Sequence, residues 1–148
     1  MNTEVELEDK TYTIVDGVLD LSNTQVSDLS PLKGMPLTWL SLRGTQVTDI
    51  FPLTGFPLEW LSLSGTQVSN ISPLTFLPLE WLSLSGTQVS DISPLRGMPL
   101  KGLNLNNTQV TDLSPLRGLP LTWLWLKNTP AAKNPLPQWL DKRIVFGL

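Results

Sequence analysis

Tryptophan side chains recur in this sequence at an interval that would bring them together on one surface. Trp39, Trp60 and Trp81 are each 21 residues apart, Trp123 follows at twice that interval, and Trp125 stands two positions further on. An indole ring offers a large apolar face and one N–H donor, so its chemistry is non-covalent stacking. Trp39, Trp60 and Trp81 are expected to stack on one another across adjacent strands, and a row of such rings on a protein surface usually marks a binding site. We therefore predict that these five tryptophans bind a ligand.

Charged side chains accompany the tryptophans at the same interval. Glu59, Glu80 and Lys101 share one position of the interval, and Arg43 and Lys127 share another on the opposite side of the tryptophans. An aromatic centre with a polar rim is the composition of an interface, so we predict that these five residues select the partner. Glu59 and Glu80, ~4.8 Å apart on adjacent strands, could also form an acid–base pair, but a solvated edge is the simpler interpretation.

The residue types that most enzymes need are missing. The 148-residue chain has no Cys and no His, which removes Ser-His-Asp and Cys-His catalysis and Cys or His metal sites. The phosphate-binding pattern G-x-x-x-x-G-K does not occur. We therefore predict a non-enzymatic protein with no catalytic residues, metal or cofactor. A net charge of -3 and a pI near 4.8 argue against a nucleic-acid partner.

Three further polar positions recur at the same interval. One position is Asp in all units but one, and such a row of carboxylates could bind a cation. Because Asn replaces Asp in the remaining unit, capping of Asx turns, which Asp and Asn do equally well, is the favoured interpretation. A Thr position is predicted to hydrogen-bond the backbone of neighbouring units, and a Gln position is predicted to face outward. Regular Thr and Gln arrays also occur in ice-binding solenoids, which stay open as an alternative. The three sets are Asp28, Asp49, Asn70, Asp91 and Asp112; Thr24, Thr45, Thr66, Thr87 and Thr108; and Gln25, Gln46, Gln67, Gln88 and Gln109.

All these intervals come from one repeated unit. Residues 58–78 and 79–99 are identical at 17 of 21 positions. The same frame runs from residue 16 through residue 120 in five full units, and a modified sixth unit extends to residue 129. Each unit follows L-x-x-L-x-L-x-x-T-x-V and then continues as in V-S-D-I-S-P-L. Repetition at this period predicts a solenoid in which each unit is one coil.

The repeated unit resembles the leucine-rich repeat, with Thr where that family usually has Asn or Cys. The V-S-D-I-S-P-L segment looks like the bacterial repeats of the internalin type, shortened by one residue. The resemblance implies an α/β fold, a solenoid with a concave parallel β-sheet and short 3-10 turns on its convex side. It also implies a protein or peptide ligand on the concave face.

Alternation within the unit predicts one short strand per coil. Because Leu61 and Leu63 share one face, Trp60 must point away from the core. Ser-Pro-Leu predicts one turn of tight helix, capped by Ser and ended by a left-handed Gly. Strands are expected near 18–22, 39–43, 60–64, 81–85, 102–106 and 123–127. The core residues expected of one coil are Leu58, Leu61, Leu63, Val68, Ile71, Leu74 and Leu77.

The two ends depart from the repeat and are predicted to cap it. Residues 1–15 form an N-terminal capping segment that turns back into the first coil at Asp16-Gly17. Residues 130–148 form a C-terminal cap, with a helix across 135–143, a strand near 144–147 and Trp139 covering the last coil. Such caps shield the apolar ends of a solenoid from water.

Charge is unevenly distributed along the chain. Residues 1–28 carry seven acidic groups and one Lys, whereas residues 96–148 carry seven basic groups and two Asp. This polarity predicts weak head-to-tail self-association at low salt, with scattered surface charge as the alternative. No apolar run could cross a membrane, and residues 1–10 lack the features of a secretory signal. The default expectation is therefore a cytoplasmic location without membrane contact, although the compartment itself is undecided.

The function predicted from the sequence is thus binding of a protein or peptide on the concave, tryptophan-lined face. A carbohydrate ligand is one alternative, because exposed indole faces suit sugars as well. A repeat scaffold without any ligand, natural or engineered, is another. In that case the stacked rings would merely stiffen the sheet.

Overall fold

The computed structural model describes residues 2–147. Its chain winds into stacked coils that share a single nine-stranded sheet in the order β1 to β9. The first two strands form an antiparallel hairpin, and β3 pairs antiparallel with β2 through Val15 and Val18. Every later pair is parallel. The strands are β1 Asn2–Leu7, β2 Lys10–Val15, β3 Val18–Asp20, β4 Trp39–Ser41, β5 Trp60–Ser62, β6 Trp81–Ser83, β7 Gly102–Asn104, β8 Trp123–Trp125 and β9 Val145–Phe146.

The register of the parallel strands follows the sequence repeat. Each residue pairs with the one 21 positions later, as Leu40 does with Leu61 and Leu61 with Leu82. The Asp16-Gly17 turn before β3 has positive φ at both residues, 49° and 79°, as a tight hairpin turn requires. The expected solenoid with one short strand per coil is confirmed.

A 3-10 turn lies on the side of each coil away from the sheet, and these turns stack on their neighbours. The five turns are Ser30–Leu32, Phe51–Leu53, Ser72–Leu74, Ser93–Leu95 and Ser114–Leu116. Pro is the second residue of each, where its fixed φ fits and its missing N–H costs nothing. The predicted single turn of tight helix is therefore confirmed. The predicted Ser cap is wrong, since Ser is the first helical residue and its side chain does not cap the turn.

The acidic position supplies the caps instead. Asp28, Asp49, Asn70, Asp91 and Asp112 each accept the backbone N–H two residues later, at 2.8–2.9 Å. These are the Asx turns that the sequence predicts. Because Asn70 makes the same bond, the position requires an acceptor rather than a charge. The backbone N–H and the hydroxyl of Ser93 lower the pKa of Asp91.

Replacing Asp91 with Ala should lower the melting temperature at pH 7, whereas Asn should nearly preserve it. The lowered pKa means that Asp91 stabilises the fold above its unfolded value and loses that contribution as the pH falls through its folded value. The gap between wild type and Asp91→Ala should therefore narrow below the ordinary Asp pKa of 3.8. Thermal melts across this pH range measure it. The difference in melting temperature between Asp91→Asn and Asp91→Ala should persist at low pH, because Asn does not titrate. If this difference changed with pH as much as the difference between wild type and Asp91→Ala, the capping role would be contradicted.

The core consists of the apolar positions predicted for each coil. In the coil at 58–78 all seven predicted residues are at most 3% exposed. Thr66 lies among them, 1% exposed, and its hydroxyl donates to the Leu63 carbonyl at 2.7 Å. The other threonines of this position bond the same way within their own coil. The predicted Thr bonds across coils are wrong here, because the nearer carbonyl lies three residues back in the same coil. The Gln position faces outward, as predicted.

A left-handed residue follows the 3-10 turn in each coil, and in one coil it is Phe rather than Gly. The glycines have φ between 71° and 82°, as predicted; they are Gly34, Gly55, Gly97 and Gly118. Phe76 has φ 68° and is 96% exposed. The left-handed conformation costs a residue with a Cβ ~1–2 kcal/mol. Because the Phe76 ring is almost fully exposed, it makes almost no packing contacts within its own chain that could offset the cost of the backbone conformation.

Phe76→Gly should raise the free energy of unfolding by ~0.5–1 kcal/mol. Relief of the backbone strain, ~1–2 kcal/mol, is partly offset by the ~0.5–1 kcal/mol entropic cost of ordering Gly. Urea denaturation measures the change. Phe76→Ala keeps the Cβ and is the matched control, with stability close to wild type. A Gly variant no more stable than the Ala variant would show that the backbone is not strained.

The C-terminal segment differs from the prediction. Its α-helix, α1, spans Pro130–Lys133, and a 3-10 turn follows at Lys142–Ile144. The predicted helix across 135–143 is wrong, because Pro135 and Pro137 restrict the residues before them and remove two N–H donors. Strand β9 pairs Val145 with Leu124, which confirms the predicted final strand.

The residue that packs against the last coil is also different. Leu140 is 6% exposed and belongs to the core, whereas Trp139 is 37% exposed. The prediction that Trp139 covers the last coil is therefore wrong. At the other end, Val5, Leu7 and Ile14 of the hairpin join the same core, each at most 5% exposed. No helix among residues 2–147 is long and apolar enough to cross a membrane.

Candidate binding face of the sheet

The predicted tryptophans lie on the outer face of the sheet, the face away from the core. In β5, Leu61 is fully buried while Trp60, on the opposite side, is partly exposed. Strand pairing places one such residue from each strand on a single line, which we call the tryptophan column. Its members are Val18, Trp39, Trp60, Trp81, Gly102 and Trp123.

Only part of the column forms a stack. Trp39 and Trp60 lie face to face, with ring centroids 4.2 Å apart and planes 8° apart. The sequence predicts a continuous stack through Trp81, and this is wrong. The Trp81 ring lies over Gly102 instead, where an added Cβ would come within 2.0 Å of its Cε3 atom. The missing side chain at Gly102 leaves room that the indole of the preceding coil occupies.

A second aromatic group lies toward the C-terminal end of the face. Trp123 and Trp125 are stacked with centroids 6.0 Å apart, and Phe146 lies 5.3 Å from Trp123 and 5.8 Å from Trp125. The structure thus brings the two predicted tryptophans together and adds Phe146, a ring that was not predicted from the sequence. Phe146 follows Trp125 by one repeat interval, so extending the interval beyond the last repeat would have found it.

Apolar surface also continues toward the N-terminal end. Val15 and Val18 are 46% and 43% exposed beside Trp39, and neither was predicted from the sequence to lie at the site. Val18 precedes Trp39 by one repeat interval, so extending the interval back by one unit would have predicted its place on this face. Between the two aromatic groups, a hollow of about 150 Å³ is lined by residues that include Trp60, Trp81 and Trp125. We call these residues together the aromatic strip. Its members are Val15, the tryptophan column, Trp125 and Phe146.

Charged residues border one side of the aromatic strip. The Lys101 Nζ donates to Glu80 Oε2 at 2.7 Å across adjacent strands. Both side chains are partly exposed, so the ion pair contributes at most ~1 kcal/mol. Glu59 lies one strand earlier in the same line and forms no ion pair with the described residues. The structure therefore brings these three predicted residues to one edge, with the Glu59 charge left available.

The other side of the strip is a polar groove of about 430 Å³ that includes Arg43. Serine hydroxyls are paired on this side: the Ser64 and Ser83 Oγ atoms are 2.7 Å apart, as are those of Ser22 and Ser41. Lys127 is exposed near the C-terminal end, away from Arg43. The groove can donate and accept hydrogen bonds. Its lining comprises Asn23, Arg43, Gly44, Ser64, Gly65, Ser85, Gly86 and Asn104.

Two solved structures from Listeria monocytogenes are similar to this chain. The internalin InlF is 38% identical over 76% of the chain, with a TM-score of 0.72. Internalin C2 is 32% identical over 86% of the chain, with a TM-score of 0.71. The chain spans 35% of the length of the first and 69% of the second. No protein-family model and no curated protein sequence matches it.

Proposed function

Because the chain belongs to the leucine-rich repeat proteins of the internalin type, we propose that it is a non-enzymatic protein that binds a protein or peptide. The ligand lies on the outer face of the sheet, which this fold makes concave. The observation that carries the proposal is the aromatic strip, a row of partly exposed rings across the parallel strands. An apolar surface of this kind in a water-soluble fold usually serves recognition.

Two aromatic groups anchor the ligand. These groups are the Trp39–Trp60 pair and the cluster of Trp123, Trp125 and Phe146, which lie on strands whose other face is buried in the core. Trp is enriched among hot-spot residues, and Phe is enriched at interface centres. From β5 to β8 the sheet advances by three strand spacings, ~14 Å. An extended peptide covers this distance with about four residues. The ligand is therefore expected to present two apolar side chains about four residues apart.

Charge on the outer face orients the ligand. Glu4 and Glu6 face outward in β1, since Val5 and Leu7 alternate with them and are buried. Asp20 adds a carboxylate at the same end, whereas Lys127 lies at the other end. Complementary charge fixes register more than it adds affinity. The ligand should therefore carry basic groups toward the hairpin and acidic groups toward Lys127.

Selection from a random displayed-peptide library tests the proposal. Wild type should enrich peptides with paired apolar residues, and Trp39→Ala with Trp60→Ala should weaken their binding more than tenfold. The matched control, Gln67→Ala, alters an exposed residue that follows the strand rather than lying on this face, and should change nothing. Circular dichroism checks that each variant is folded. Failure to enrich peptides, or binding unaffected by the Trp substitutions, would overturn the proposal.

A carbohydrate ligand is the second candidate, and the polar groove beside the Trp39–Trp60 pair favours it. Its hydroxyls and amides suit sugar hydroxyls. The Trp39–Trp60 rings, four residues before Arg43 and Ser64 in the chain, suit the apolar face of a further sugar ring. A glycan array probed with the same variants distinguishes the two ligands. Protein binding should also be sensitive to Glu59→Lys and Glu80→Lys, whereas sugar binding should depend mainly on the Trp rings. A chain that binds neither probe behaves as a scaffold.

A further inference from the structure

Two phenylalanines on the convex side depart from the repeat and are exposed. Phe51 stands where the other four full coils have Ser, and its side chain is 70% exposed. Phe76 stands where the other four have Gly and is 96% exposed in a strained backbone conformation. Neither ring is used by the core or by the aromatic strip. Both therefore carry a cost in the isolated chain that a contact with another molecule would offset.

An apolar groove lies beside these rings. It has a volume of about 890 Å³ between the coils at 16–36 and 37–57, and Met35, Phe51 and Phe56 are among its walls. The backbone at Gly34 and Gly55 leaves it open, since an added Cβ at either position would meet no atom within 4 Å. Phe76 occupies the position of Gly55 in the next coil. A protruding ring and an apolar groove are thus neighbours on one face.

We propose that this convex face binds a second copy of the chain in a two-fold symmetric dimer, with Phe76 of each copy seated in the groove of the other. A protrusion and a groove on the same face suit such an interface, because one two-fold axis forms both contacts and closes the assembly. Each copy contributes Phe51 and Phe76. Four rings bury ~600–1,000 Å² at ~150–250 Å² each. The groove walls bring the total near ~1,200 Å², the lower limit for stable interfaces, so the dimer is weak.

Charge favours the second copy as the occupant. A two-fold axis through this face runs the two solenoids in opposite directions. When Phe76 of one copy is seated in the groove of the other, Arg96 of the first copy, one coil after Phe76, lies toward the N-terminal hairpin of the second copy. The exposed carboxylates there include Glu8 and Asp28, whose pKa values are lowered by hydrogen bonds from Ser27 and Ser30. Lys33 also lines the groove, but residues 1–33 carry seven acidic groups against two Lys, so opposite charges predominate where Arg96 of one copy meets the other.

Sedimentation velocity from about 1 to about 500 μM tests the dimer, a range that spans weak association. Wild type should show a monomer–dimer equilibrium with two species and no larger ones. Phe76→Gly and Phe51→Ser each install the residue of the other coils and should raise the dissociation constant more than tenfold. Because Phe76→Gly is expected to be the more stable monomer, loss of the dimer would not reflect misfolding. Arg96→Glu should also weaken the dimer, and Trp60→Ala should leave it unchanged.

Four results would overturn the proposal. Wild type could remain monomeric throughout, or a dimer could survive both Phe substitutions. A dimer lost in Trp60→Ala but kept in the Phe variants would place the contact on the aromatic strip. Species larger than a dimer could form at low salt, disappear at high salt and persist in both Phe variants. This result would indicate head-to-tail association through the oppositely charged ends.

Discussion

Leu61→Ala is expected to lower the free energy of unfolding by ~2–5 kcal/mol, whereas Trp60→Ala should lower it by only ~0.5–1.5 kcal/mol. The two residues are adjacent in β5 but lie on opposite faces. Leu61 is fully buried between Leu40 and Leu82 of the neighbouring coils, so its removal leaves a cavity that rigid strands cannot fill. The Trp60→Ala substitution removes only the stacking on Trp39, on a face that is already partly exposed to water.

Urea denaturation of both variants at the same pH measures this difference. Because the two positions share one strand and one pair of neighbouring coils, each variant is the control for the other. If Trp60→Ala proved the more damaging, the tryptophans would be structural, and the proposed ligand site would lose its main support.

Deleting residues 1–15 should have the other large effect, namely loss of cooperative melting together with aggregation. We propose that this segment and residues 130–148 act as caps. The hairpin buries Leu7 and Ile14 against the first coil, and its removal would expose Leu19 and Leu21, which are at most 2% exposed in the intact chain. A bare coil end also presents an unpaired strand, which promotes edge-to-edge association.

Calorimetry with light scattering measures the effect of the deletion. Glu4→Gln together with Glu6→Gln is the matched control, since these exposed residues carry hairpin charge without core packing. This control should melt close to wild type. A monomeric truncated chain with an unchanged melting temperature would show that residues 1–15 are not a cap.

The repeated part of the fold could be predicted because its constraints are periodic. A period of two within the strand puts Leu61 inside and Trp60 outside, and a period of 21 stacks equivalent residues. The strands, the 3-10 turns and the Asx turns at the acidic position follow from residues that repeat in every coil.

Some failures lie where the repeat is interrupted or where its interval does not fix the orientation of a ring. The Ser cap and the Thr bonds across coils failed within the repeated coils themselves, because the interval fixes which residues align but not which hydrogen-bond partner each side chain takes. Pro135 and Pro137 lie in a segment with no repeat to fix its conformation, so a helix was expected where none forms. The interval placed Trp81 on the correct face, but the rotation of its indole depends on the space left by Gly102. That space belongs to another coil, and no pattern within one unit reports it.

The uniform register of the parallel strands also bears on how such a chain changes through descent. Because Leu58 and Leu79 begin equivalent coils that differ at four of 21 positions, gain or loss of one unit in frame preserves every line of side chains across the sheet. The core, the Asx turns and the end segments need no compensating substitution. Each added copy of the unit at 58–78 would lengthen the outer face of the sheet by one strand and one Trp, and would also add another exposed Phe to the convex side. In-frame recombination between near-identical units such as 58–78 and 79–99 would thus change the length of the outer face of the sheet in single-coil steps, while substitutions at positions such as Gly102 would change its shape.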